Sequence, residues 1–188
     1  MRIIVGITGA SGAIYGVRLV QALVEHGVET HLVLSPWAEK NIELETRYSV
    51  PEVRSFAHRV YEVDDLSAPV ASGSCPVHGM VVAPCTMKSV AAIAHGYADN
   101  LIHRCADVAL KEGRTLILVP RETPLHQIHL ENLFRLACAG VVIMPPIPAF
   151  YFKPQTIEEL VEHHVGRVLH RLGIENDLVR VWDNRGDK

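Results

Sequence analysis

The sequence predicts an α/β protein, a three-layer α/β/α sandwich built on a mostly parallel sheet. Three observations predict it. Short, β-branched apolar runs recur along the chain, as strands buried on both faces require. Stretches with apolar residues at helical spacing separate those runs. Glycines close the helical stretches, at Gly27, Gly96, Gly113, Gly140 and Gly173, where a helix end favours a residue free to adopt positive φ.

The first strand is Ile3 to Ile7, ending at Thr8-Gly9-Ala10-Ser11-Gly12. A helix follows at once, with Val17, Val20, Leu23 and Val24 on one face. Strand, glycine turn and helix N-terminus together form an arrangement that collects anions, because first-turn N–H groups lack partners and the helix dipole is positive there. The glycines fall as Gly6-x-x-Gly9-x-x-Gly12, not in the dinucleotide spacing, and the second strand, Glu29 to Leu34, ends in Ser35-Pro36-Trp37 with no acid for a ribose. A mononucleotide phosphate or a flavin therefore fits better than NAD.

Ala38 to Glu45 reads as a short helix, while Thr46 to Val63 carries no clear pattern. Asp64 to Ser74 is small and polar, hence a loop. Gly79 to Ala83 is the third strong strand, followed by Pro84-Cys85-Thr86-Met87-Lys88-Ser89 and a helix from Val90 to His95. Asn100 to Glu112 is helical, Thr115 to Val119 is a buried strand ending in Pro120-Arg121-Glu122, and Leu125 to Ala139 is helical again. Val141 to Met144 is the last strand. The proline-rich Pro145 to Pro154 can be neither helix nor central strand. Thr156-x-x-Glu159 is a capping box opening the final helix, whose apolar positions run from Ile157 to Leu172. The pattern is Rossmann-like (flavodoxin-like), and the length of 188 residues suits one domain spanning residues 1–188.

Composition narrows the function. Eighteen basic and twenty-one acidic residues give a net charge of −3, which argues against bulk nucleic-acid binding. No apolar stretch approaches a membrane span, and no signal peptide is visible. The four cysteines lack Cys-x-x-Cys spacing, so reduced thiols in the cytoplasm are expected. His126-x-x-His129 and His163-His164 invite a metal, but no third ligand has recognisable spacing, and no metal site is expected.

In open parallel sheets, ligands bind beyond the carboxyl ends of the strands. Ser11, Ser35, Thr86, Lys88, Ser89, Arg121, Glu122 and Tyr151 all follow strand ends, so one rim should gather them. Arg104 and Lys111 are two turns apart on one helix, with Asp107 between them. Spacing alone reads that trio as a solvated salt-bridge stripe ahead of a phosphate patch. Arg167 falls off the apolar stripe of the last helix and reads as surface, and Tyr151 reads as packing against its proline-rich loop.

Several segments together resemble one known family. They are Thr8-Gly9-Ala10-Ser11-Gly12, Ala71-Ser72-Gly73-Ser74, Asp107-Val-Ala-Leu-Lys111-Glu112, Leu118-Val-Pro-Arg121-Glu122-x-Pro124, Ile128-His129-Leu130-Glu131-Asn132 and Pro148-Ala-Phe150-Tyr151. In that order they resemble the flavin prenyltransferases of the UbiX family, including members associated with hydroxyarylic acid decarboxylases. The resemblance implies transfer of a dimethylallyl group from dimethylallyl monophosphate to reduced FMN, without metal. It also implies a homo-oligomer, usually a dodecamer, that hands prenylated FMN to a UbiD-type decarboxylase.

Carried across, Gly9, Ala10, Ser11, Ser35, Thr86, Met87, Lys88, Ser89 and Arg121 would hold FMN. Arg104, Lys111, Tyr151 and Arg167 would hold the prenyl phosphate, partly from neighbouring subunits, which replaces the stripe and surface readings. Ser11, Glu45 and Glu122 would be the catalytic groups. One departure is Leu66, where family members often carry tryptophan. Two other readings stand beside this one: an FMN-dependent peptidyl-cysteine decarboxylase of similar fold, and a non-catalytic flavin carrier.

Overall fold

A computed structural model describes residues 1–182. Six parallel strands form one sheet: β1 (Arg2–Ile7), β2 (Glu29–Leu34), β3 (Arg59–Tyr61), β4 (Gly79–Cys85), β5 (Thr115–Pro120) and β6 (Val142–Ile143), in spatial order β3-β2-β1-β4-β5-β6. The chain winds outward from β1 to β3, then returns to place β4 against the other side of β1. That reversal opens a crevice at the carboxyl ends of β1 and β4.

Alternation along β1 assigns its side chains to two cores. Ile3, Val5 and Ile7 join the core under α1 (Ala13–Glu25), α2 (Pro36–Glu45), α3 (Val50–Phe56) and α7 (Ile157–Arg171). Ile4 joins the opposite core, under α4 (Met87–Ala94), α5 (Leu101–Lys111) and α6 (Gln127–Cys138). Period-two side-chain direction and helices on both faces account for this three-layer arrangement. Gly16 brings α1 down onto the sheet. A Cβ there would fall on the Ala83 carbonyl oxygen and within 2.7 Å of Ile7 Cδ1.

The stretch from Thr46 to Val63, patternless in sequence, contains α3 and β3. Ser49 and Glu52 form a reciprocal capping box at the start of α3, and Pro51 occupies its first turn. α4 begins three residues earlier than the apolar spacing suggested. Thr86 caps it by accepting the Ser89 N–H at 3.1 Å, so Lys88 and Ser89 sit in a helical first turn and not in a loop. β6 is two residues long, shorter than the four expected. α6 starts at Gln127, two residues later than expected, capped by His126.

Candidate functional site

Three helix N-termini meet the crevice. Gly12 precedes α1 at φ 95°, a left-handed conformation that suits glycine. Ser35 caps α2 by accepting the Ala38 N–H (3.1 Å), while its own N–H donates to the Ile7 carbonyl (3.0 Å). Thr86 caps α4. The last residues of β1 and β4 are joined through Thr8, 4% exposed, whose hydroxyl donates to the Pro84 carbonyl (2.8 Å) and accepts the Thr86 N–H (2.8 Å).

The helix end expected to collect a ligand anion already holds one from the chain itself. Glu45, at the last turn of α2, accepts the N–H groups of Gly12 (2.7 Å) and Ala13 (3.3 Å). A carboxylate at a helix N-terminus satisfies orphan donors and the dipole together. At α4, by contrast, Thr86 engages only the Ser89 N–H, and among the described residues the Met87 and Lys88 N–H groups have no side-chain partner, an arrangement that offers a seat for an anion. The same contact brings Glu45 beside Ser11, which is exposed.

Around this seat lie the other rim residues. The Gly9 carbonyl accepts from Asn41 Nδ2 (3.1 Å), and a Cβ at Gly9 would strike the Trp37 side chain, so the turn lies tight against α2. Ala10 and Met87 are buried, and Lys88 and Arg121 are exposed cations. Arg121 follows β5 directly, its N–H donating to the Cys85 carbonyl (3.3 Å). Glu122 is exposed and accepts the Thr123 N–H (3.1 Å). Behind the seat, Ser89 and His103, 4% and 3% exposed, share a hydrogen bond of 3.0 Å, and Asp99 meets the other ring nitrogen at 2.7 Å.

The four residues assigned to the prenyl phosphate do not meet within one chain. Arg104 and Lys111 lie on α5, on one face of the sheet. Arg104 donates to the Ala71 carbonyl (3.1 Å) and pairs with Asp107 (2.9 Å), whereas Lys111 pairs with Glu112 (2.7 Å) and not with Asp107. Only half of the expected salt-bridge stripe forms.

Tyr151 and Arg167 lie by α7 on the opposite face, with His163 as a shared neighbour. The Tyr151 hydroxyl donates to the Arg180 carbonyl (2.7 Å) and bonds His163 Nε2 (2.8 Å). Burial, then the nearby Arg167 charge, holds the His163 imidazole below its usual pKa. Burial first, then His163 and Arg167, pushes His164 down to about 4. Two cavities, of about 530 and 420 Å³, open on this face beside Arg18 and Tyr48, and the smaller reaches Glu45. Among the described residues, no group of three or more His, Cys, Asp or Glu could hold a metal ion, and no helix is long and apolar enough to cross a membrane.

The flavoprotein family matches residues 1–169. Flavin prenyltransferase LpdB of Lactiplantibacillus plantarum is 53% identical over 183 residues, covering 97% of this chain and 98% of that protein. The chain belongs to the UbiX-like flavin prenyltransferases. A dodecameric FMN-dependent UbiX-like decarboxylase from Escherichia coli O157:H7 superimposes with a TM-score of 0.96 at 52% identity, covering 98% of this chain and all of that one. The structure of AnUbiX (PadA1) in complex with FMN and dimethylallyl pyrophosphate superimposes with a TM-score of 0.97 at 48% identity, over 98% of both chains.

The UbiX-type rim fits a flavin mononucleotide by its donor chemistry. Hydroxyl-capped helix starts, first-turn N–H groups, Lys88 and Arg121 form a set suited to a phosphate monoester. Sequence reasoning assigned no role to Thr8, Asn41, Asp99 or His103. Asp99 and His103 carried a faint signal, an acid and a histidine four apart at a helix start. Thr8 and Asn41 act through contacts between distant elements, which spacing does not reveal.

Proposed function

We propose that this UbiX-family enzyme transfers the dimethylallyl group of dimethylallyl monophosphate to reduced FMN, producing prenylated FMN for a UbiD-type decarboxylase. The observation that carries the reading is near-complete alignment with flavin prenyltransferases at about half identity. It favours prenyl transfer over peptidyl-cysteine decarboxylation and over a flavin carrier without catalysis.

Gly9, Ala10, Ser11, Ser35, Thr86, Met87, Lys88, Ser89 and Arg121 hold the flavin at the crevice. Reduced FMN supplies the nucleophilic ring nitrogen. The chain's own task is to draw off phosphate and keep water out. Arg104 and Lys111 from one copy, and Tyr151 and Arg167 from another, surround the leaving group. Their placement on opposite faces of the sheet supports a site shared between copies, as does the dodecameric E. coli relative.

Cationic and hydroxyl donors stabilise a departing phosphate because each charge-assisted hydrogen bond contributes about 1.5–3 kcal/mol. Tyr151 must release the Arg180 carbonyl before its hydroxyl can donate to that phosphate. Ser11, Glu45 and Glu122 flank the reacting groups. Their carboxylates and hydroxyl can accept and pass on the proton lost during ring closure. Leu66, half exposed on the loop before β4, offers apolar contact but not the π face of the tryptophan common in the family. The cysteine spacing supports a cytoplasmic location, and the proposed reaction calls on no metal.

The test is incubation with reduced FMN and dimethylallyl monophosphate, alongside the diphosphate, with mass spectrometry of the flavin. Gain of a five-carbon unit is expected, and an unchanged flavin with both donors refutes the function. Arg167→Ala should raise the KM for the prenyl donor roughly tenfold or more, the loss of one charged hydrogen bond, and leave FMN affinity unchanged. Equal weakening of both ligands would remove Arg167 from the donor site.

A further inference from the structure

His103 is a buried ionisable side chain to which the proposed chemistry gives no part. Burying an imidazole is unfavourable unless its ring nitrogens find partners, and here both do. Nδ1 lies 2.7 Å from Asp99 Oδ1, and Nε2 lies 3.0 Å from Ser89 Oγ. Ser89 Oγ lies in turn 3.1 Å from Thr86 Oγ1, which accepts the Ser89 N–H at 3.1 Å. Four side chains thus form one line, running from the surface at Asp99 to the crevice at Thr86.

The end group fixes the direction of the first bond, and the singly protonated ring carries that direction along the line. The Asp99 carboxylate can only accept, so Nδ1, which also lies 3.0 Å from Asn100 Nδ2, carries a proton, and the tautomer with Nε2 unprotonated leaves that nitrogen to accept. The Ser89 hydroxyl must then donate to His103. Its oxygen is left to accept from the Thr86 hydroxyl, and Thr86 accepts the Ser89 N–H. Asn100 secures the far end, donating to the same Asp99 oxygen (3.1 Å) and accepting the His103 N–H on its Oδ1 (3.0 Å). The Thr86 oxygen accepts the Ser89 N–H, and among the described residues the N–H groups of Met87 and Lys88 have no side-chain partner.

We propose that His103, oriented by Asp99, is a positioning residue that locks Ser89 and Thr86 and so holds the first turn of α4 as a rigid seat for the flavin phosphate. The inference rests on the proposed flavin site, and it adds two residues and a division of labour. Backbone N–H groups and Lys88 bind the phosphate, the two hydroxyls hold the turn, and the imidazole holds the hydroxyls. Side chains behind a binding group commonly act this way, by fixing its orientation and rotamer.

The test compares FMN with riboflavin, which lacks the phosphate, by flavin fluorescence quenching on the assembled protein. His103→Leu leaves the Ser89 hydroxyl without its acceptor. FMN affinity should fall roughly tenfold to a hundredfold, while riboflavin affinity changes less than about twofold. His103→Gln, whose carboxamide oxygen can accept from Ser89, should recover most of the loss. Should His103→Leu not fold, Asp99→Ala, altered at an exposed end of the line, carries the same comparison with a loss of several-fold expected.

Equal losses for both flavins, an FMN affinity that does not change, or a glutamine variant no better than leucine would each overturn the positioning role. Wild-type prenyl transfer, measured in parallel, separates the two levels. A wild type that prenylates FMN while the variants bind it normally refutes this role alone. A wild type that neither binds nor prenylates FMN refutes the site as well.

Discussion

Gly16→Ala should destabilise this protein, although the same change inside an ordinary helix does the opposite. Alanine is favoured over glycine by about 1 kcal/mol in a helix interior. At Gly16 the new methyl group would lie 2.7 Å from Ile7 Cδ1, 2.9 Å from Ile7 Cγ1 and against the Ala83 carbonyl oxygen. Carbon contacts are most favourable near 3.5–4.0 Å, so α1 must retreat by about 1 Å, and a gap of that size forfeits up to about half of each dispersion contact along the helix. The carbonyl belongs to the sheet backbone and cannot rotate away as a side chain would. Overpacking against such an atom falls at the upper end of the usual range, about 3 kcal/mol. Subtracting the propensity gain leaves a net loss of about 2 kcal/mol. Urea unfolding followed by circular dichroism, at one fixed protein concentration because assembly contributes to the midpoint, measures it directly. The retreat would also displace the turn from Gly9 to Gly12, so FMN affinity should fall alongside stability. A variant as stable as the wild type, or more so, would refute the close approach of α1 to β1 and β4.

Glu45→Ala removes the carboxylate from the Gly12 and Ala13 N–H groups and should lower stability by about 1–2 kcal/mol, while Glu45→Gln, keeping a hydrogen bond without the charge, should lose about half as much. Denaturation midpoints of the two variants check this, and an unaffected alanine variant would show that the cap contributes nothing. Stability should also fall as the medium is acidified, because His164 is held near pKa 4 in the folded chain against about 6.5 when unfolded. The folded state binds fewer protons, so this contribution is complete above about pH 6.5 and disappears as pH falls towards 4, amounting to about 3 kcal/mol, with His163 acting in the same direction. Unfolding midpoints at neutral pH and near pH 5 should differ accordingly, and His164→Phe should flatten the slope. A slope that His164→Phe leaves unchanged would assign the acid sensitivity elsewhere.

Much of the architecture was legible because it rests on local pattern. The run from Ile3 to Ile7, the glycine stops and the Thr156–Glu159 box each mark an element within a few residues. The rule that ligands gather at carboxyl strand ends then placed Ser11, Ser35, Thr86, Arg121 and Glu122 on one rim. What stayed hidden depends on distance in the chain. Glu45 reaches Gly12 across thirty-three residues, and nothing in either segment announces that a carboxylate fills the α1 terminus. α3 spans seven residues, about two turns with Val53 alone buried, and β3 spans three, so neither repeats an apolar pattern often enough to stand out. At α4, the proline just upstream obscured a helix start that Thr86 in fact caps. The opposite placement of Arg104 and Arg167 follows from the order of strands in the sheet, which spacing along one helix cannot express.

The two outermost strands carry a consequence for how copies of this chain can associate. An open sheet margin offers unpaired backbone groups along which a neighbour could add its own strand and continue indefinitely. Here the margins are only three and two residues long, at Arg59–Tyr61 and Val142–Ile143, too brief to template such growth. Apolar surface is available instead on helical side chains such as Ile128, Leu130 and Phe134, all more than half exposed. Contacts made there would join copies through side chains, leaving the sheet of each copy to end at its own short margins.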